Sequence, residues 1–298
     1  MIRAGSRDNS QLGVIRVSRK ARSRFVHVLS GIIVFGGLIF GLILTFAPFY
    51  WMVLASFKTS GELFSPKAPL WIKDPVVSNY VYLIKNTDFL KWLASSMIVA
   101  TFSTIIGVMV ASFAGFAFAK YRFKGKELLF SLFLGSVAIP NIVTIIPIFA
   151  WFNRINLVDS YWALILPGAT NVFAMFMMRQ YMLSIPDDLL EAGRIDGMSE
   201  LQLLMRIVLP LSRPSWATAA IFIWLGQWSA YLWPLVMLRS RERFTLPLGL
   251  ASLYANPWDL NYPVLMAGAT LATIPMVVLF LAAQEQFISG LTQGATKG

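Results

Sequence analysis

Six stretches of the chain carry no charged residue: 28–57, 92–119, 128–153, 160–178, 214–238 and 260–284. A helix needs about 20 mostly apolar residues to cross the hydrocarbon core of a bilayer. Each stretch can hold one such helix, and none can hold two with a turn between them. The pattern therefore predicts an all-α membrane protein with six spans. The first stretch has 30 uncharged residues, far beyond the roughly 7–15 of a secretory signal core, and reads as a retained helix.

Composition supports this reading. Of 298 residues, 57% are hydrophobic and 13% charged, against about 25% charged in a soluble domain. There is no cysteine and one histidine, His27. Disulfides, cysteine-ligated metals, thiol catalysis and a two-histidine metal site are thereby excluded within this chain. The net charge is +11, which in a soluble protein points to nucleic acid. Here the Lys and Arg residues divide unevenly. Sixteen lie in 1–24, 120–127, 179–213 and the tail, and nine in the alternate loops. The positive-inside rule then places both termini in the cytoplasm and loops 58–91 and 239–259 outside. The chain divides into a basic cytoplasmic segment 1–27, a six-span region 28–289 and a cytoplasmic tail 290–298. No nucleic-acid partner is needed to explain the charge, and lipid is the expected surrounding.

No ionisable residue lies well inside any stretch. This argues against a proton relay or a charged ion site in the spans, and is compatible with a neutral, hydroxyl-rich solute. Gly107, Ala111, Gly115 and Ala119 repeat every four residues and give the second stretch a face for close helix packing. Pro48, Pro140, Pro147, Pro167, Pro234 and Pro275 are expected to bend helices. Trp51, Trp92, Trp151, Tyr161, Trp162, Tyr231 and Trp233 fall near the ends of stretches, as in an interfacial belt.

The cytoplasmic loop 179–213 carries the densest local signals. Pro186 suits a first helical position. Asp187 and Asp188 favour the positive end of a helix dipole. Gly197 can supply the left-handed residue that ends that helix. Ser199 and Gln202 have capping-box spacing, and Pro210 is expected to limit the second helix. Leu189, Leu190, Ala192, Ile195, Leu201, Leu203 and Leu204 leave apolar surface in an aqueous loop, which suggests a protein partner. Glu191, Asp196 and Glu200 are expected to meet basic groups on it.

In this loop the chain resembles the integral-membrane subunits of bacterial ABC importers. Their signature is Glu-Ala-Ala, three residues, Gly, nine residues, Ile, one residue, Leu-Pro. The chain has Glu191, Ala192, Gly193, then Gly197, Ile207, Leu209 and Pro210 at those spacings. Its one departure is Gly193 in place of the second alanine, expected to loosen the helix by up to ~1 kcal/mol. The segments 48–58, 253–262 and 290–298 extend the resemblance to the carbohydrate branch. They are similar to the maltose-importer permease subunit that lacks a large periplasmic insertion.

The resemblance implies a type I importer permease fold in a bacterial cytoplasmic membrane. Its partners would be an ATPase dimer, a second homologous permease and an external solute-binding protein. The helix holding Glu191, Ala192, Gly193, Asp196 and Gly197 would dock in the ATPase. Gln293 and Gly294 in the tail would also touch the ATPase. Leu253, Tyr254, Asn256 and Pro257 would reach the solute-binding protein. ATP and magnesium would be held by the ATPase, with no cofactor on this chain, and the chain has no phosphate-binding G-x-x-x-x-G-K-[ST] loop. The competing reading is an ion-coupled secondary transporter or a channel for a neutral solute. A membrane hydrolase would have only His27 as its base, at the edge of the first span.

Overall fold

In the computed structural model the backbone is described for residues 10–66, 69–72, 74–254 and 261–295, and side chains for residues 30–31 and 33–284 within those limits. Asn256 and Pro257 lie outside the described residues, as do the side chains of His27 and Gln293. Every element among the described residues is helical or a turn.

The chain forms two units, residues 1–54 and 55–298. The first is one long helix, α1 (Ser10–Ser56), so the basic segment is helical from Ser10 and continuous with the first apolar stretch. Most of its apolar side chains from Ile33 to Val53 are exposed.

The second unit starts with two short helices, α2 (Ser60–Leu63) and α3 (Ser78–Asn86), followed by α4 (Phe89–Lys120). Then come α5 (Lys126–Ser136), α6 (Asn141–Arg154), α7 (Trp162–Gly168) and α8 (Val172–Leu183). The loop 179–213 holds α9 (Asp187–Ile195), α10 (Glu200–Leu203), a π-helical turn (Leu204–Val208) and α11 (Leu209–Leu211). The chain ends with α12 (Arg213–Trp228), α13 (Leu232–Met237), α14 (Leu246–Ser252) and α15 (Tyr262–Ala295).

Three helical segments are long and apolar enough to cross a membrane unbroken: Ile33–Ser56, Phe89–Lys120 and Tyr262–Gln284. The other three stretches are interrupted. The third bends by 100° between α5 and α6. Pro140, extended at φ −60° and ψ 128°, marks the restart. The fourth breaks at Ala169–Asn171, where the Ala174 N–H donates to Asn171 Oδ1 at 2.8 Å and caps α8. The fifth breaks at Ser229–Tyr231. Hydropathy reports composition alone, so it does not register where backbone bonding lapses.

The core is built around α4. Its small-residue face does pack closely, as the spacing predicts. A Cβ on Gly115 would lie 2.7 Å from Met178 Cβ of α8, and one on Gly107 would lie 3.2 Å from the Ala169 carbonyl oxygen. Toward the N-terminal end of α4, Trp92 is fully buried instead of lying in an interfacial belt. Its indole N–H donates to the Arg241 carbonyl at 2.8 Å. A Cβ on Gly249 of α14 would lie 2.1 Å from the Trp92 ring, so only glycine fits there. The Leu246 N–H donates to Ser96 Oγ at 2.7 Å. Residues 246–250 are thus folded back into the core.

Candidate functional site

The loop 179–213 folds as two helices joined at Gly197. Pro186 takes the cap position before α9, at φ −60° and ψ 135°, one residue earlier than the first helical position. Asp187 and Asp188 occupy the first turn. At the other end the Met198 N–H donates to the Gly193 carbonyl at 2.9 Å and the Gly197 N–H to the Arg194 carbonyl at 3.0 Å. With Gly197 at φ +81°, this is a complete Schellman ending, which needs a left-handed residue at that place. The next helix begins with a full capping box. The Ser199 N–H donates to Gln202 Oε1 at 2.8 Å and the Gln202 N–H to Ser199 Oγ at 3.3 Å.

Pro210 does not end the second helix. The chain passes through the π turn, continues as α11, and turns by 84° into α12 at Ser212. Proline lacks an N–H and its ring crowds the carbonyl four residues back. A wider turn just before it relieves that crowding.

The two faces of α9 differ. Leu190 and Gly193 are buried, while Glu191, Ala192, Asp196 and Gly197 are exposed, and Ile195 is 86% exposed. Leu203, Leu204 and Val208 join Leu190, Phe116, Phe118, Met178, Met182 and Ile185 in one apolar cluster. Of the leucines expected on the surface, Leu190, Leu203 and Leu204 are buried; Leu189 and Leu201 remain exposed.

Gly193 is matched to its neighbours. A Cβ there would lie 2.5 Å from Leu203 Cδ2 and 3.1 Å from Ile207 Cδ1. The fold thus brings Gly193 and Ile207 together across 14 positions of sequence. Its missing methyl is taken up by Leu203, a packing role beyond the loosened helix expected from sequence. Leu209 accepts a hydrogen bond from the Trp216 indole at 3.2 Å. Leu209 and Pro210 border an apolar cavity of about 550 Å³ shared with Val108, Met109 and Phe113 of α4.

Electrostatic ties fasten the loop to α4. The Lys120 ammonium, with a side chain only 5% exposed, donates to Asp187 Oδ1 at 2.7 Å and to the Ile185 carbonyl at 2.5 Å. That bond and the lysine's charge hold the Asp187 carboxyl below its ordinary range. The Tyr121 hydroxyl donates to Glu200 Oε2 at 2.5 Å. Arg194 grips the same carboxylate with two N–H groups at 2.8 and 3.2 Å. Glu200 is held low by Arg194 first and Tyr121 second. Burial, then the Glu200 carboxylate, pushes the Tyr121 phenol up to about 12. Glu200 is therefore engaged within the chain, with its side chain still half-exposed. Arg179 donates to the Phe118 carbonyl at 3.2 Å and lies 4.0 Å from the centre of the Phe130 ring.

Lys120, Tyr121 and Arg179 were legible in sequence only as cytoplasmic charges and a flanking aromatic. In the loop 239–259, Tyr254 is exposed and Leu253 partly so. The Tyr254 ring meets Tyr262 edge-on at 5.7 Å. Gly294 lies within α15, which runs on to Ala295.

Residues 103–293 match the model of the binding-protein-dependent transport system inner membrane component family. The chain is 38% identical over 254 residues to the arabinooligosaccharides transport system permease protein AraQ of Bacillus subtilis (strain 168), covering 84% of this chain and 90% of that protein. It is 32% identical over 292 residues to the galactooligosaccharides transport system permease protein GanQ of the same organism, covering 96% and 100%. In fold it is similar to a chain in the crystal structure of a bacterial ABC transporter involved in the import of the acidic polysaccharide alginate. There the TM-score is 0.74 at 20% identity, over 96% of this chain and 100% of that one.

Proposed function

From its place in the binding-protein-dependent transport system inner membrane component family, to which this chain belongs, we infer that it is the sugar-conducting permease subunit of an ATP-driven importer. The solute is a neutral oligosaccharide or related polyol, delivered by an external solute-binding protein. The relatives named for arabino- and galacto-oligosaccharides support that class, as does the lack of ionisable residues inside the apolar stretches.

One observation carries the mechanism. Glu191, Ala192, Ile195, Asp196 and Gly197 stand exposed together on a short helix whose other side is locked into the core. Such a rigid, partly apolar knob suits a cleft on an ATPase subunit. Ile207, Leu209 and Pro210 form its support toward α12. ATP and magnesium belong to the ATPase dimer, and this chain is no enzyme and holds no cofactor. A second, homologous permease completes the pathway. Six spans with both termini in the cytoplasm of a bacterial inner membrane follow from the Lys and Arg distribution. Gln293 and Gly294 then sit on the ATPase side. Leu253, Tyr254, Asn256 and Pro257 sit on the side of the binding protein.

Gly197→Pro tests the reading. Proline cannot adopt φ +81° and removes the N–H that closes α9 on Arg194. In the full complex the variant is expected to insert in the membrane and lose transport. Normal transport with stimulated ATP hydrolysis would overturn the coupling role.

A further inference from the structure

Two consecutive residues at the cytoplasmic end of α4 grip both helices of the loop. Lys120 holds the first turn of α9 through Asp187 and the Ile185 carbonyl, and Tyr121 holds the first turn of α10 through Glu200. The two contacts lie on opposite sides of the Gly197 turn. Arg194 closes the figure by binding the same Glu200 from α9. We propose that Lys120 and Tyr121 are positioning residues that make α4, and not the sequence-adjacent α12, the helix moved by the coupling loop; this rests on the importer reading above.

The physical case has three parts. First, the Lys120 side chain is almost wholly withdrawn from water. Separating it from Asp187 would leave a nearly buried charge with a single carbonyl partner, which is costly. The first turn of α9 and the end of α4 therefore stay together when the loop is displaced. Second, Phe116 and Phe118 of α4 share an apolar cluster with Leu190 and Leu203 of the loop, so the contact also resists shear. Third, the covalent route from the loop to α12 runs through a π turn and an 84° bend at Ser212. There regular helix bonding is interrupted, by the π turn and beside Pro210. The non-covalent path to α4 is the stiffer of the two.

The test uses the complete transporter in proteoliposomes with its binding protein, and reads ATP hydrolysed per solute imported. Lys120→Met is expected to raise that ratio by about five-fold or more, the scale on which about 1 kcal/mol acts. The exchange Lys120→Asp with Asp187→Lys is expected to restore part of the coupling. Tyr121→Phe removes one hydroxyl from a solvent-reached bond without threatening the fold, and is expected to raise the ratio by a smaller factor. A wild-type ratio in Tyr121→Phe and in every Lys120→Met complex that assembles would overturn the proposal. If the unmodified chain recruits no ATPase at all, the importer reading itself fails, an outcome distinct from a variant that couples normally.

Discussion

The segment 238–254 and the loop 179–213 are both tied to α4, but by different chemistry. In the segment 238–254, a buried tryptophan fills the space over a glycine, and backbone groups bond to Trp92 and Ser96. The Asp159 carboxylate accepts from the N–H groups of Arg239 and Ser240 at 3.0 Å and from the Ser240 hydroxyl at 2.5 Å. In the loop 179–213, side-chain charges do the fastening over an apolar cluster, with Lys120 nearly buried and the Arg194–Glu200 pair near water. Buried packing fixes a single geometry, whereas solvent-reached charge pairs are individually weak and can exchange partners. The loop combines the two kinds: the nearly buried Lys120 keeps it on α4, and the exposed Arg194–Glu200 pair yields more easily.

The comparison is most sharply tested by truncation. Trp92→Ala is expected to destabilise the protein by ~3–5 kcal/mol, as for a fully buried aromatic. Arg194→Ala, at the exposed pair with Glu200, is expected to cost ~1 kcal/mol or less. Denaturant unfolding in detergent checks both, and similar losses would erase the distinction.

Acid should act on both regions. Burial raises Asp159, but the Ser240 hydroxyl and N–H, the Arg239 N–H and the Arg243 charge together bring it below its ordinary value. Asp187 and Glu200 are also held low. Carboxylates of this kind contribute fully above their unfolded values near pH 4, and the contribution is lost as pH falls through the lower folded values. Asp159→Asn should remove the acid response of the segment 238–254 and leave that of the loop. In alkali the sign reverses. Tyr121 is raised to about 12, so its contribution is complete below about 10 and is lost as pH climbs through the folded value. Thermal unfolding against pH, with Tyr121→Phe beside the parent, isolates that limb.

The smallest effect is expected at Gly193→Ala. Helix propensity gains up to ~1 kcal/mol, and crowding of Leu203 Cδ2 opposes it. Leu203 is fully buried, so its methyl has little room to retreat, and the net change in unfolding midpoint should be near zero. A clear stabilisation would show that the loop packs more loosely than its contacts indicate.

The loop's helix starts and stops were legible because caps depend on residues two to five apart: Gly197 and the Ser199–Gln202 pair needed no tertiary knowledge. The clamp was not legible, since Lys120 and Asp187 are 67 positions apart and a cytoplasmic lysine reads the same whether paired or free. Trp92 misled for a related reason. An indole suits an interface, and equally a buried site where its N–H finds a carbonyl. The breaks at Ala169–Asn171 and Ser229–Tyr231 left no mark on the charge-free stretches, because the polar residues there, Thr170, Asn171, Gln227 and Ser229, carry no charge.

From Trp92 to Lys120, α4 spans about 42 Å at 1.5 Å per residue. Both ends are fastened, and near the middle Gly107 lies close against Ala169 and Ile223. A rod held in this way behaves as a see-saw. A tilt of about 10° around its middle carries each end roughly 4 Å, in opposite directions. Under the coupling proposed above, a push at the Lys120 end of α4 would thereby return, inverted, at the Trp92 end.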